Sequence, residues 1–175
     1  MTDENMLFAT EDQMAELLEE APAETLTDKY LVFLTDGLRF GVEAEYVVEI
    51  INNYAITRLP IVPPYVRGII NLRGLIIPIL DIRSRLGKAP AEDDCIVVLS
   101  QNETQLGILV DTVDRMVDVD RESISPMPAQ NTQELISGMC SLAEGETLLI
   151  LDCEKLIQAY LVFLIFGQRN KTVPA

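Results

Sequence analysis

Short apolar blocks separated by turn residues run through most of this 175-residue chain. Tyr30–Leu34 and Leu38–Val42 flank Asp36-Gly37, a pair suited to a tight turn, and predict a two-stranded hairpin. Ala44–Ile51 predicts a short helix with Val47, Ile50 and Ile51 on one side and Glu45 and Glu49 on another. Ile56–Leu59 predicts a further strand, closed by Pro60 and the Pro63-Pro64 loop. Gly68–Asp81 is an apolar run broken only at Asn71-Leu72-Arg73-Gly74, the pattern of two buried strands around a turn that exposes one arginine. Arg83–Leu86 predicts a helical turn before Gly87, and Lys88–Asp94, with one proline and three acids, a connector.

The second half repeats the first. Leu106-Gly107 matches Phe40-Gly41, Val113 matches Val47, and Ser125-Pro126 matches Leu59-Pro60, all 66 positions on. Gly138 follows Gly68 by 70 positions, and Leu151-Asp152 follows Leu80-Asp81 by 71. A nearly constant offset with a few insertions is the mark of a duplicated unit of short strands. Such strands, punctuated by Gly and Pro, indicate small barrels rather than a parallel sheet. The repeat leaves open whether the halves exchange strands. The halves differ at the hairpin: Asn71-Leu72-Arg73-Gly74 in the first is Ser141-Leu142-Ala143-Glu144-Gly145 in the second. The hairpin itself therefore does not demand the arginine.

Both ends depart from this pattern. Residues 1–28 form an acidic tail in which Thr10-Glu11-Asp12-Gln13 has the form of a capping box. Met14, Leu17 and Leu18 follow at helical spacing until Pro22, predicting a short helix at about 10–20, either solvated or docked. At the other end, 159–175 includes Tyr160–Phe166, an apolar run without a polar face. Its first five residues, YLVFL, repeat Tyr30–Leu34 letter for letter. Two readings stand: a strand that mimics the first one and pairs with a barrel edge or another chain, or a helix that covers the seam between lobes.

Composition narrows the function. The net charge of −15 argues against phosphate-backbone binding, which needs clustered Lys and Arg, so no nucleic-acid partner is expected. Nine carboxylates and no basic residue fall within residues 1–28, leaving the rest of the chain at −6. Cys95, Cys140 and Cys153 lie in apolar runs, and the chain has no His. Reduced buried thiols in a cytoplasm are expected, without a metal or other cofactor. There is no signal-peptide pattern, and Ala159–Phe166 is too short to span a bilayer. Without His or a Gly-rich phosphate loop, enzyme readings reduce to carboxylate pairs such as Asp111 with Asp114 or Asp118 with Asp120, a small hydrolase at most. Binding is the better class. Arg73 at a tight turn is suited to a bidentate ion pair, and Glu49 is the obvious partner.

In order, spacing and residue type the chain resembles the CheW family over roughly residues 29–158. The likeness runs from Tyr30–Leu34 through Val47–Ile50 and Val66–Asp81 to Cys95–Ser100, Leu106–Asp111, Ile136–Gly138 and Leu148–Ile157. Asn71, Arg73, Gly74, Ile76, Pro78, Ile79 and Asp81 fit the N-[LV]-R-G-x-[IV]-x-P-[IV]-x-D pattern that characterises it. The resemblance implies an all-β fold with a few short helices: two SH3-like five-stranded β-barrel lobes, related by pseudo-two-fold duplication (repeats about 29–87 and 95–158), packed over a shared apolar seam. It implies a non-catalytic cytoplasmic adaptor that couples methyl-accepting chemoreceptor signalling tips to the regulatory domain of the histidine kinase CheA. A CheW-like regulatory domain of a sensor kinase is the nearest alternative. The implied partner-binding residues are Arg73 and Glu49, with Val47, Asn71 and Gly74.

Overall fold

The computed structural model describes residues 25–89, 95–127 and 135–169, with side chains to Val162. The expected helix at about 10–20 and most of the expected 88–94 connector lie outside these residues. The first half contains β1 (Thr27–Thr35), β2 (Leu38–Glu43), a 3-10 turn (Ala44–Tyr46), β3 (Val47–Asn52), β4 (Val66–Leu72), β5 (Leu75–Asp81) and α1 (Ile82–Arg85). The second contains β6 (Cys95–Gln101), β7 (Thr104–Val110), β8 (Thr112–Asp120), a 3-10 turn (Arg121–Ser123), β9 (Ser125–Pro126), β10 (Ile136–Ser141), β11 (Thr147–Leu151) and α2 (Cys153–Arg169).

The halves exchange strands. One sheet has the order β3-β6-β7-β5-β4, the other β8-β1-β2-β11-β10-β9. The β6–β7 hairpin of the second half thus sits among first-half strands, and the β1–β2 hairpin among second-half strands. Two short parallel ladders make the joins, β5 on β7 and β2 on β11. Each strand pairs antiparallel with its neighbour in sequence where a hairpin connects them, as at Tyr30↔Glu43 and Val97↔Ile108.

Three apolar clusters follow from this arrangement. Tyr30, Val32, Val119, Cys140, Leu148 and Ile150 fill one barrel. Ile70, Ile77, Ile79, Ile96, Val98 and Leu109 fill the other. Between them lies a larger seam that includes Leu31, Phe33, Phe40, Val97, Leu99, Leu106, Leu156 and Ile157, with the Phe33 and Phe40 rings stacked at 5.7 Å. Successive residues of β1 and β6 enter opposite clusters. Buried on both faces, these strands read in sequence as unbroken apolar runs.

Three expectations are corrected. Ala44–Ile51 is not a helix: after one 3-10 turn, Val47–Asn52 is an edge strand on β6, as its β-branched residues favour. Ile56–Leu59 contributes a single bridge, Thr57 to Ile69, rather than a strand. Tyr160–Phe166 continues α2, so the strand-mimic reading falls. The same five letters form β1, where two neighbouring strands pair with them. In α2 they extend a helix that Asp152 caps by accepting the Lys155 N–H at 3.0 Å. Leu156 and Ile157 anchor that helix on the seam. Context overrides local preference here.

The Thr57 bridge fixes Gly68. A Cβ there would stand 2.1 Å from the Thr57 carbonyl oxygen, and the residue lies at φ +149°. Its repeat partner Gly138 is confined less severely, with the Ser125 carbonyl oxygen 2.8 Å from where its Cβ would stand. In contrast, Gly74 faces open space, although at φ +86°. Gly68→Ala should therefore cost about 2–4 kcal/mol of unfolding free energy, and Gly74→Ala about 1–2 kcal/mol from the left-handed backbone alone. Urea denaturation of both variants checks this; equal losses would contradict it.

Candidate partner-binding site

The hairpin between β4 and β5 turns on Arg73-Gly74 alone, with both residues at positive φ (+53° and +86°), the requirement of a type I′ turn. The two corresponding turns place Asp36 (φ +51°) and Asn102 (φ +49°) where this one has Arg73. Asp and Asn tolerate the left-handed region; arginine gains nothing there. Asn71 supports the turn by accepting the Gly74 N–H on Oδ1 at 2.9 Å. Its own carbonyl accepts the Tyr54 hydroxyl, which ties the β3–β4 connection to the hairpin.

Arg73 Nη2 donates to Glu49 Oε1 at 2.9 Å. The pair spans the two edges of its sheet, β3 and β4, where the barrel would otherwise gape. It is a single contact rather than the bidentate fork expected, and it joins a strand to the hairpin rather than a helix. The Arg73 side chain is 75% exposed and that of Glu49 29%. Leu75 and Ile76, just past the turn, are 57% and 60% exposed, and Val48 and Ile50 flank Glu49 with their side chains also open to solvent. Successive residues of a strand face opposite ways, so Ile50 lies on the other face of the sheet from Glu49.

Of the expected site residues, Arg73, Glu49, Asn71 and Gly74 are brought together. Val47 is not. A bulge between Val47 and Glu49 places Val47 opposite Leu99 and Glu49 opposite Val98, on different faces of the sheet. Val47 packs against the seam instead.

Sequence reasoning missed the counterpart in the other barrel. Arg115, 66 positions after Glu49, pairs with Glu146 of the β10–β11 hairpin at 3.4 Å. Arg39 joins Asp114 and Glu146, each at 2.8 Å, and Arg115 also reaches Asp114 at 3.0 Å. A strand-to-hairpin ion pair is therefore common to both barrels, with its polarity reversed. The 66-residue offset carried this signal. What distinguishes Arg73 is the sign it presents and its exposure.

The carboxylates considered as acid/base pairs have structural work. Asp111 accepts Arg83 Nε at 3.0 Å and the Asp36 N–H at 2.9 Å, so it ties α1 to the β1–β2 hairpin. Asp118 pairs with Lys29 at 3.4 Å, and Asp120 accepts the Glu122 N–H at 3.0 Å. Asp111 and Asp114 serve different arginines, which does not favour them as an acid/base pair. No three His, Cys, Asp or Glu among the described residues are grouped to hold a metal. Cys95, Cys140 and Cys153 are buried and free, and desolvation raises each thiol above its ordinary pKa, which suppresses the reactive thiolate.

Glu43, at the end of β2, is pushed up to about 7, first by desolvation and then by a hydrogen bond and repulsion from Glu45. The folded state keeps this proton after an unfolded chain has released it. Its contribution is complete below the ordinary carboxylate pKa and is lost as pH rises through about 7. Unfolding free energy should thus fall between about pH 5 and pH 8, and Glu43→Gln should flatten that slope in parallel urea titrations. Arg73→Ala should change stability by no more than about 1 kcal/mol, since the pair is exposed. A larger loss in thermal or urea unfolding would make the pair a structural clamp.

The CheW-like domain family matches residues 29–160. The chemotaxis protein CheW of Klebsiella aerogenes is 30% identical over 142 residues, covering 78% of this chain and 85% of its own. The probable chemotaxis protein CheW of Rhizobium etli is 36% identical over 101 residues, 56% of this chain and 65% of its own. The crystal structure of the scaffolding protein TtCheW from Thermoanaerobacter tengcongensis superposes with a TM-score of 0.68 at 27% identity, over 73% of this chain and 90% of that one. No helix among the described residues is long and apolar enough to cross a membrane. With the family matched across both barrels and the fold shared with a solved member, the chain belongs to the CheW family of chemotaxis scaffold and adaptor proteins.

Proposed function

We propose that this protein is a non-catalytic cytoplasmic adaptor that holds chemoreceptor signalling tips and the regulatory domain of the histidine kinase CheA together, with Arg73, Glu49, Asn71 and Gly74 at a contact surface. The observation that carries the assignment of the surface is the Arg73 turn. An arginine held in a left-handed conformation, largely exposed and flanked by Leu75 and Ile76, adds little to stability. Such a residue is better suited to a partner's carboxylate or backbone carbonyl than to the fold. Glu49 orients it, and Asn71 and Gly74 set the turn that presents it.

An adaptor of this kind needs no chemistry of its own. By binding two proteins at once it raises the effective concentration of each for the other. It transmits a signal when its contacts differ in free energy between two states of the kinase.

Pull-down with purified CheA regulatory domain and, separately, a receptor signalling-tip fragment tests the reading. The wild-type chain should capture both. Arg73→Ala, folded by circular dichroism, should lose on the order of tenfold or more in affinity for at least one, as removal of a central arginine does at interfaces. Capture of neither partner by folded wild type would contradict the adaptor role. Unchanged capture by Arg73→Ala would move the contact surface elsewhere.

A further inference from the structure

The connection between β3 and β4 carries a residue that the fold does not account for. Ile61 sits in the left-handed region at φ +56°, and its side chain is fully exposed. A β-branched residue fits that backbone conformation poorly, and full exposure leaves no packing to compensate. The chain around it is nevertheless held on both sides. Thr57 exchanges two backbone hydrogen bonds of 2.9 Å with Ile69, and the Val66 N–H donates to the Pro63 carbonyl at 2.9 Å. Val62 and Tyr65 pack against the seam, and Arg85 stacks over the Tyr65 ring at 4.8 Å. Ile61 is thus presented from a fixed frame, with Leu59 and Pro60 exposed beside it. Strain kept at such a position marks a functional contact rather than a requirement of the fold.

Charge indicates what kind of partner it meets. Residues 50–80 hold Arg58, Arg67 and Arg73 and no Asp or Glu, in a chain of net charge −15. Arg73 pairs with Glu49 at 2.9 Å and Arg67 with Asp81 at 3.7 Å. Arg58 is exposed and forms no ion pair among the described residues. A cation without a counter-ion, close in sequence to a solvent-facing isoleucine, favours a partner that offers carboxylates beside an apolar pocket.

Position indicates which partner. The Thr57–Ile69 bridge is antiparallel, so the chain runs from Thr57 towards the Val66 end of β4, away from the Arg73 turn. β4 is an edge of its sheet, and its 7 residues span about 20 Å. A standard interface covers about 800 Å² on each partner, broad enough to include both ends of such a strand. We infer that Ile61, with Leu59 and Arg58, is an anchor that enters a carboxylate-rimmed apolar pocket on the same protein partner that meets Arg73. This rests on the adaptor reading and adds a second point of contact along one sheet edge.

Isothermal titration calorimetry of wild type, Arg73→Ala, Ile61→Asn and Arg58→Glu against the CheA regulatory domain and a receptor signalling-tip fragment tests this, together with urea unfolding. Ile61→Asn should lose on the order of tenfold or more in affinity for the partner that Arg73→Ala weakens. It should also unfold at a higher urea concentration than wild type, because Asn tolerates the left-handed region. Arg58→Glu should weaken binding of the same partner, by a factor that shrinks as salt is raised. Unchanged affinity of Ile61→Asn or Arg58→Glu, or a loss confined to the other partner, overturns the inference and leaves the adaptor reading standing. A lower urea midpoint for Ile61→Asn overturns it as well, since the fold would then use the residue. Folded wild type that binds neither partner overturns the inference and the adaptor reading together.

Discussion

Two short parallel ladders, β5 on β7 and β2 on β11, are the constraint on which the rest of this structure depends. They place each half's hairpin in the sheet of the other, so neither half carries a complete barrel of its own. They also force β1 and β6 to be buried on both faces, with Tyr30 and Val32 in one barrel, Ile96 and Val98 in the other, and their alternating neighbours in the seam. The protein therefore folds by pairing residues far apart in sequence, a topology expected to be slow to form and cooperative once made.

The same arrangement decides which strands are left as edges. With β6 and β7 in the middle of the first sheet, β3 and β4 become its edges, and edges need covering. Thr57 bridges to Ile69, the Tyr54 hydroxyl binds the Asn71 carbonyl, and Arg73 reaches Glu49 across the gap. The second barrel closes its own gap with Arg115 and Glu146, the charges interchanged. Edge closure thus explains why there is an ion pair at each site. It does not explain why the first should present an arginine, strained and exposed, beside Leu75 and Ile76. Recognition does.

Much of this was legible in the sequence because the signals were local. Asp36-Gly37 and the Asn71–Gly74 break each lie between apolar runs, and both hairpins form, the second on a tighter turn than read because Asn71 and Leu72 belong to β4. Glu49 and Arg73 meet as expected. What failed was non-local or ambiguous. VVEIIN is short enough to satisfy helical and strand periodicity alike, and its pairing with β6 decides for a strand. The bulge that turns Val47 away from Glu49 has no sequence mark. YLVFL occurs twice with opposite outcomes, set by neighbouring strands in one place and by a helix already begun at Asp152 in the other. Arg115 and Glu146 were within reach of the duplication, but only if the repeat was searched for reversed charge as well as for identity.

The most direct test of the account is whether the two partners bind together. Sedimentation velocity on an equimolar mixture of this protein, the CheA regulatory domain and a receptor signalling-tip fragment reads it directly. An adaptor predicts a species heavier than either binary complex, which disappears when this protein is left out. Two binary complexes that compete, with no heavier species at any ratio, would mean that the two partners share one surface, and the bridging account would be wrong.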